Sequence, residues 1–304
     1  MKNNPLTLIA GILGATLLTG SMLGCDSDSG STAGTGKLTL RITDAPVDGA
    51  EHVYVAFAGV EIKAGNEIID ITYDAPRQID LLALTGGVAE TIVDGYTLPA
   101  GQVQWVRLKV VSTDATESSD PTDDTYIVVN GVSHPLTIPS GDQNGLKLNR
   151  PITIADGGVA TFTIDFDLRK SVHQDSNGYK LRPTLRLVDN STDGALNGTV
   201  DTSMMSRYCD EGDMAAIYVY EGDVATNDID DDNSVQPVTT ANVNMTTGSY
   251  TVAFLPSGNY TAAFTCNAGN DVPDTDDEVN FYGKTMVTIT AGQTTTQGFV
   301  IIKM

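Results

Sequence analysis

The tightest constraint on this chain is a period-two alternation of apolar and polar residues, cut by turn residues every dozen positions or so. Residues 37–43 set Leu38, Leu40 and Ile42 on one side with polar neighbours between them. Successive side chains of a strand point to opposite faces, so this spacing makes a half-buried strand; a helix would scatter it. Residues 52–63 repeat the pattern through Val53, Val55 and Phe57, then through Val60 and Ile62. The change of parity at Ala58-Gly59 predicts a β-bulge. Gly65-Asn66 reads as a hairpin turn into 67–73. Asn130-Gly131, between 126–129 and 132–136, offers the two residue types that tolerate the positive φ angles of a type I′ turn. Further strands are expected at 78–82, 90–93, 102–111, 152–154, 159–166 and 179–188. Only 167–173 reads as helical, for about two turns. The class expected is all-β, an antiparallel sandwich or partly closed barrel.

The run Asp189-Asn190-Ser191-Thr192-Asp193-Gly194 is small, polar and rich in turn formers, which places a linker at 190–194. It divides a first unit, 37–189, from a second, 195–304. The second unit shows seven strand patterns, at 196–200, 215–220, 238–245, 249–255, 259–266, 281–290 and 297–302, enough for a small sandwich. Leu98-Pro99-Ala100-Gly101 in the first unit is matched by Leu255-Pro256-Ser257-Gly258 in the second. Proline presets the second position of a β-turn and glycine suits the fourth, so each tetrapeptide is expected to join two antiparallel strands.

The amino terminus carries a different signal. Lys2 is followed by an apolar stretch at 6–18, too short to span a bilayer comfortably, and then by Met22-Leu23-Gly24-Cys25. That order is an export signal, and its ending resembles the lipobox of bacterial lipoproteins. The resemblance implies cleavage of residues 1–24 and acylation of Cys25. Residues 26–36 hold only Asp, Ser, Gly, Thr and Ala, so 25–36 reads as a lipidated cysteine on a flexible tether. The partner implied is the membrane itself, outer or inner, with the folded part in the periplasm or at the cell surface. Setting Cys25 aside leaves Cys209 and Cys266, an even pair in a compartment that permits disulfides.

Charge narrows the partners. The chain has 39 acidic and 17 basic residues, a net charge of −22. Nucleic acid and anionic lipid surfaces both need a basic footprint, so neither is expected as a ligand.

Four segments, in order, carry a family likeness: Leu40-Arg41-Ile42-Thr43-Asp44-Ala45-Pro46, the Leu98 turn, Ile164-Asp165-Phe166-Asp167 with Ser171, and Leu181-Arg182-Pro183 ending at Leu187-Val188-Asp189. Together they resemble the bacterial lipoprotein domain of unknown function numbered 4382, a likeness that implies no particular activity. The second unit is similar to carboxypeptidase-regulatory-like (transthyretin-type) sandwiches through Asn197-Gly198-Thr199-Val200, Gly248-Ser249-Tyr250-Thr251-Val252 and the turn from Leu255 to Tyr260. Such modules support or bind.

Catalytic patterns are sparse. His52, His134 and His173 are dispersed, and no His-Glu-x-x-His, nucleophile elbow, P-loop or dinucleotide fingerprint occurs. Asp165 and Asp167 share one face of a strand and offer the pair of carboxyls a glycosidase-like cleft needs. The alternative for Asp167 is a helix cap, with Arg169 or Arg182 as charge partner. Trp105, the single tryptophan, is expected to share a strand face with Val103 and Arg107, as core or as a binding platform. Asp228, Asp230 and Asp232 match the opening half of a calcium loop, but Thr239 stands where an EF-hand needs its bidentate Glu. Acids between 271 and 278 are candidates for the missing ligands. Calcium is the one cofactor in view. The reading these features favour is a non-enzymatic envelope protein that binds or scaffolds a protein or glycan. A hydrolase using Asp165 and Asp167, or a structural subunit of a surface assembly, are the alternatives.

Overall fold

The computed structural model describes residues 34–47, 49–111, 124–139, 145–230, 235–273 and 275–300. The export signal, Cys25, Asp232 and the end of the last expected strand lie outside the described residues. The first thirteen strands are β1 (Thr35–Ala45), β2 (His52–Ala64), β3 (Glu67–Asp80), β4 (Glu90–Pro99), β5 (Gly101–Val111), β6 (Tyr126–Val129) and β7 (Val132–Thr137), then β8 (Leu146–Leu148), β9 (Ile152–Ile154), β10 (Val159–Asp167), β11 (Val172–Asp175), β12 (Gly178–Leu181) and β13 (Leu185–Asp189). They form two sheets. One has the order β13-β10-β1-β4; the other runs β11-β12-β7-β6-β2-β5-β8, with β3 also paired to β2 and β9 to β5. Leu38, Leu40 and Ile42 of the first sheet are buried in one cluster with Val53, Val55, Val60 and Ile62 of the second, as the alternation requires.

The remaining strands are β14 (Asp193–Thr199), β15 (Ala216–Glu221), β16 (Thr239–Asn242), β17 (Ser249–Pro256), β18 (Gly258–Thr265), β19 (Phe281–Ile289) and β20 (Thr294–Thr296). They make a three-stranded sheet, β17-β14-β20, and a four-stranded one, β16-β15-β18-β19. The described residues form an all-β fold, and no sheet among them closes into a barrel. Between β13 and β14 the chain makes a hydrogen-bonded turn, with Thr192 N–H donating to the Asp189 carbonyl at 3.0 Å and Asn190 Oδ1 accepting from Thr163 Oγ1 at 2.9 Å.

Several local readings are met closely. The β2 pairings with β3 and β5 both shift register between Phe57 and Gly59, the site of the parity change. Asn130 and Gly131 take φ of 52° and 73°, the left-handed pair a type I′ turn demands. The Leu-Pro-x-Gly turns, expected to join two antiparallel strands, do not join strands that pair with each other. Each joins strands of different sheets: β4 to β5 in the first sandwich, β17 to β18 in the second. The proline turn is a corner, and the leucine before it, Leu98 or Leu255, plugs the core beneath with no exposed surface.

Those corners belong to a larger repeat. Ala100 N–H donates to the Gly34 carbonyl, and Ser257 N–H to that of Thr192. In each half the first strand pairs antiparallel with the strand before the corner and parallel with the half's late strand (β1 with β4 and β10, β14 with β17 and β20). The turn entering that late strand docks on the first strand by the same bonds. Gly157 N–H reaches the Thr35 carbonyl at 2.8 Å, and Gly292 N–H that of Asp193 at 2.7 Å. Gly36 and Gly194 sit against these turns, where a Cβ would run into the carbonyls of Ala155 and Thr290. The two halves thus share one construction.

Two helices differ from expectation. The helical turn expected at 167–173 is shorter, Leu168–Ser171, and gives way at once to β11. A helix absent from the sequence reading spans Thr202–Tyr208, capped by Asp201, whose carboxylate accepts from Ser203 N–H at 2.8 Å. Its last residue is followed by Cys209, which is disulfide-bonded to Cys266, the residue directly after β18. No helix among the described residues is long and apolar enough to cross a membrane.

Candidate functional site

The short helix Leu168–Ser171 organises the junction between the two sandwiches. Asp167 ends β10 and caps this helix, its side chain accepting from Lys170 N–H at 3.3 Å and pairing with Lys170 Nζ at 3.1 Å. Both residues after Leu168 reach the second sandwich. Arg169, 2% exposed, donates to Asn242 Oδ1 at 3.0 Å and lies over the Tyr218 ring at 5.4 Å. Lys170 Nζ donates to the Pro237 carbonyl. A buried arginine needs acceptors and an aromatic face to replace its water, and the second sandwich supplies both.

Asp165 and Asp167 are therefore close neighbours, but they face partners. Asp165 is buried and ion-paired with Arg186 of β13. Burial raises its carboxyl above the usual range, with Arg186 pulling the other way. The third acid is Asp44. The parallel register of β1 and β10 sets Thr43 beside Asp165 and Asp44 beside Phe166. Burial first, then the charges of Asp165 and Asp167, hold the Asp44 carboxyl well above the ordinary carboxylate range. Its Oδ1 accepts from Leu168 N–H at 3.3 Å.

A cleft of about 440 Å³ opens beside these acids, where the end of β1 meets β16 and β17. Asp44 and Asp165 line it from the first sandwich, with the loop Thr85-Gly86-Gly87. The Thr43 hydroxyl latches that loop, lying 2.9 Å from the Leu84 carbonyl and 2.7 Å from that of Val88. The second sandwich contributes Thr240, Asn242, Thr251 and Phe254. Phe254 has φ of 54°, and it sits where the β14–β17 register slips between Gly194 and Leu196. A bulky side chain in the left-handed region costs about 1–3 kcal/mol, which makes this residue an outlier.

The calcium candidates are separated in part. Asp228 meets Asp271 and Asp277, with one oxygen of each within 4.8 Å of the others. Asp230 is not in that group, whereas acids from the 271–278 segment are. Hydrogen bonds tie the group together. Asp271 accepts from Tyr218 Oη at 2.5 Å and Ile229 N–H at 3.0 Å; Asp228 accepts from Asp277 N–H at 2.6 Å; Asp277 accepts from Val272 N–H at 2.8 Å. Burial raises the Asp271 carboxyl.

Trp105 shares its expected face with Arg107 but not with Val103. The β2–β5 register slips between Lys63 and Ala64, so Val103 is buried in the core while Trp105 turns outward. There it carries Arg107 at 4.9 Å and Lys147 at 4.7 Å over its ring. His52 pairs with Asp80 at 2.7 Å, and His134 lies against Tyr179.

A family model described as a domain of unknown function (DUF4382) matches residues 35–183. No curated protein matches the chain. Among solved structures, it is similar to the Bacillus anthracis TIE protein, at 14% identity and a TM-score of 0.22, over 86% of this chain and 34% of that one. A leucine-rich repeat protein of Bacteroides thetaiotaomicron matches at 13% identity and 0.21, over 88% and 26%. The minor pilin of Streptococcus agalactiae matches at 10% identity and 0.20, over 86% and 93%. The chain spans about a third or less of the first two.

Proposed function

We propose that this chain is a lipoprotein of the bacterial cell envelope, anchored through Cys25, that acts as a non-catalytic binding or scaffolding module for an envelope protein or glycan. The observation that carries the non-catalytic reading is how the acids are used. Glycoside hydrolysis needs two carboxyls facing each other across a bond, one giving a proton and one attacking or activating water. Asp165 is engaged by Arg186, and Asp167 by its helix cap and Lys170. Asp165 is tied within the first sandwich, and Asp167 caps the helix whose Arg169 and Lys170 reach the second. The second sandwich is read as carboxypeptidase-regulatory-like, a supporting module docked onto the first through Arg169 and Lys170. The export signal and the Leu23-Gly24-Cys25 ending support the anchor. One acyl chain holds a membrane marginally, while several hold it firmly.

Fatty-acid labelling and fractionation of cells making wild type or Cys25→Ser test the anchor. Labelled wild type in the membrane pellet and unlabelled variant in the soluble fraction are expected. Wild type that is unlabelled, or a variant still in the pellet, refutes it.

A further inference from the structure

We propose that the cleft between the two sandwiches is a binding site for a neutral saccharide, seated between Asp44 and Thr240 with the Phe254 ring as one wall. The inference rests on the envelope-binding reading and names its site and ligand class. Three observations on the cleft converge.

Two buried oxygen atoms there have no hydrogen-bond partner: Asp44 Oδ2 and Thr240 Oγ1. Asp44 is 6% exposed and Thr240 2%, and they come from opposite sandwiches. A buried polar atom left unbonded costs stability, so two of them lining one cleft call for a partner that brings its own donors and acceptors.

The charges define that partner. No lysine, arginine or histidine lines the cleft, which removes phosphate, sulfate and uronate as ligands. Asp165 is already matched by Arg186. Burial beside Asp165 and Asp167 favours the neutral form of Asp44, whose carboxyl then both donates and accepts. Thr85, Asn242 and Thr251 add neutral polar groups around it. A set of hydroxyls, an amide and an uncharged acid matches an array of sugar hydroxyls. The volume, about 440 Å³, falls within the roughly 300–1,000 Å³ of ordinary small-ligand sites.

Phe254 is the third observation. A β-bulge that needs a positive φ is normally built with glycine, which adopts it without strain. This one carries an aromatic ring, held in a left-handed conformation and turned to the cleft wall. Strained residues persist where a site uses them, and a partly exposed ring offers a flat apolar face to the C–H side of a sugar.

The test is saturation-transfer NMR on the purified protein with three probes, maltose, cellobiose and N,N′-diacetylchitobiose. Wild type, Thr240→Val and Phe254→Gly are compared. Ring protons of at least one disaccharide are expected to receive saturation from wild type. Thr240→Val is expected to weaken that binding about tenfold, the loss of one buried hydrogen bond. Phe254→Gly should weaken it as well. Neither variant should melt below wild type, because one removes an unbonded hydroxyl and the other a strained side chain, so lost binding is not lost folding. No saturation with any of the three probes overturns the proposal, as does equal binding by Thr240→Val. A calcium-induced stabilisation of wild type that Asp44→Asn abolishes would make the cleft a cation site and overturn it too. Binding to isolated envelopes that survives Thr240→Val would overturn the cleft alone, whereas wild type that fails to bind envelopes would overturn the wider reading.

Discussion

Arg169→Ala should uncouple the two sandwiches. The guanidinium is buried in the junction, where it donates to Asn242 and lies over Tyr218. A hydrogen bond from a charged donor contributes about 1.5–3 kcal/mol, and a desolvated cation–π contact about 2. Removing a buried charge also recovers desolvation energy, which offsets part of that loss. The net cost is therefore about 2–4 kcal/mol. At roughly 2–4 °C per kcal/mol for a folded body of this size, the melting temperature should fall by roughly 5–15 °C. The form of the transition matters more than its midpoint. Each sandwich has its own apolar cluster, so a weakened junction should let them melt apart. Differential scanning calorimetry on wild type and variant reads both quantities. One transition in wild type and two in Arg169→Ala are expected. A variant that melts in one transition within about 0.5 kcal/mol of wild type, the range of an ordinary surface change, would refute the coupling role.

Cys209→Ser with Cys266→Ser releases a loop of sequence separation 57 and should cost about 4 kcal/mol by chain entropy; denaturant unfolding that shows no change refutes it. Asp44→Asn tests the buried acid through pH. The folded-state pKa of Asp44 is raised, so wild type is spared any cost while the group is protonated in both states and loses stability as pH rises from the unfolded value through the folded one. Asp165, Asp167 and Asp80 face the group and add to the effect, while the Leu168 N–H opposes it. Asn keeps the acceptor for Leu168, so the variant should gain on wild type as pH rises, and a pH-independent difference in urea midpoints contradicts this. Gly198→Ala would drive a Cβ into the Gln297 carbonyl and should part β14 from β20, lowering the melting temperature by several degrees. Asp277→Asn weakens the carboxylate that accepts from Val272 N–H and the Thr275 hydroxyl, and should destabilise the protein equally with and without calcium; calcium that raises the melting temperature of wild type alone would make the Asp228–Asp271–Asp277 group a cation site.

What the sequence made legible was local. Alternation found the long strands, parity located the Gly59 bulge, and Asn130-Gly131 identified its turn, because each depends on a few adjacent residues. The Leu-Pro-x-Gly corners were misread because a turn signal reports how the chain bends and not which sheet it enters next. Val103 left the face of Trp105 for a related reason: the register slip beside it shifted the alternation by one, and periodicity alone does not mark where such a slip falls. The helix at Thr202–Tyr208 had a signal, the Asp201-Thr202-Ser203 cap, hidden in a stretch that otherwise favoured turns. The junction was illegible in principle. Asp44 and Thr240 stand almost two hundred positions apart, and only the docked sandwiches bring them to one cleft. Arg169 entered the sequence reading only as a charge partner for Asp167, since nothing local points it across to Asn242 and Tyr218.

The central claim is that this protein binds the envelope and does not process it. Sedimentation of the labelled protein with isolated bacterial envelopes, followed by mass spectrometry of both fractions, tests that most directly. Saturable binding is predicted, with the bound material recovered unchanged over time. Absence of saturation would contradict the account. So would soluble fragments that accumulate with wild type and vanish with Asp165→Asn, since they would return the buried acids to catalysis.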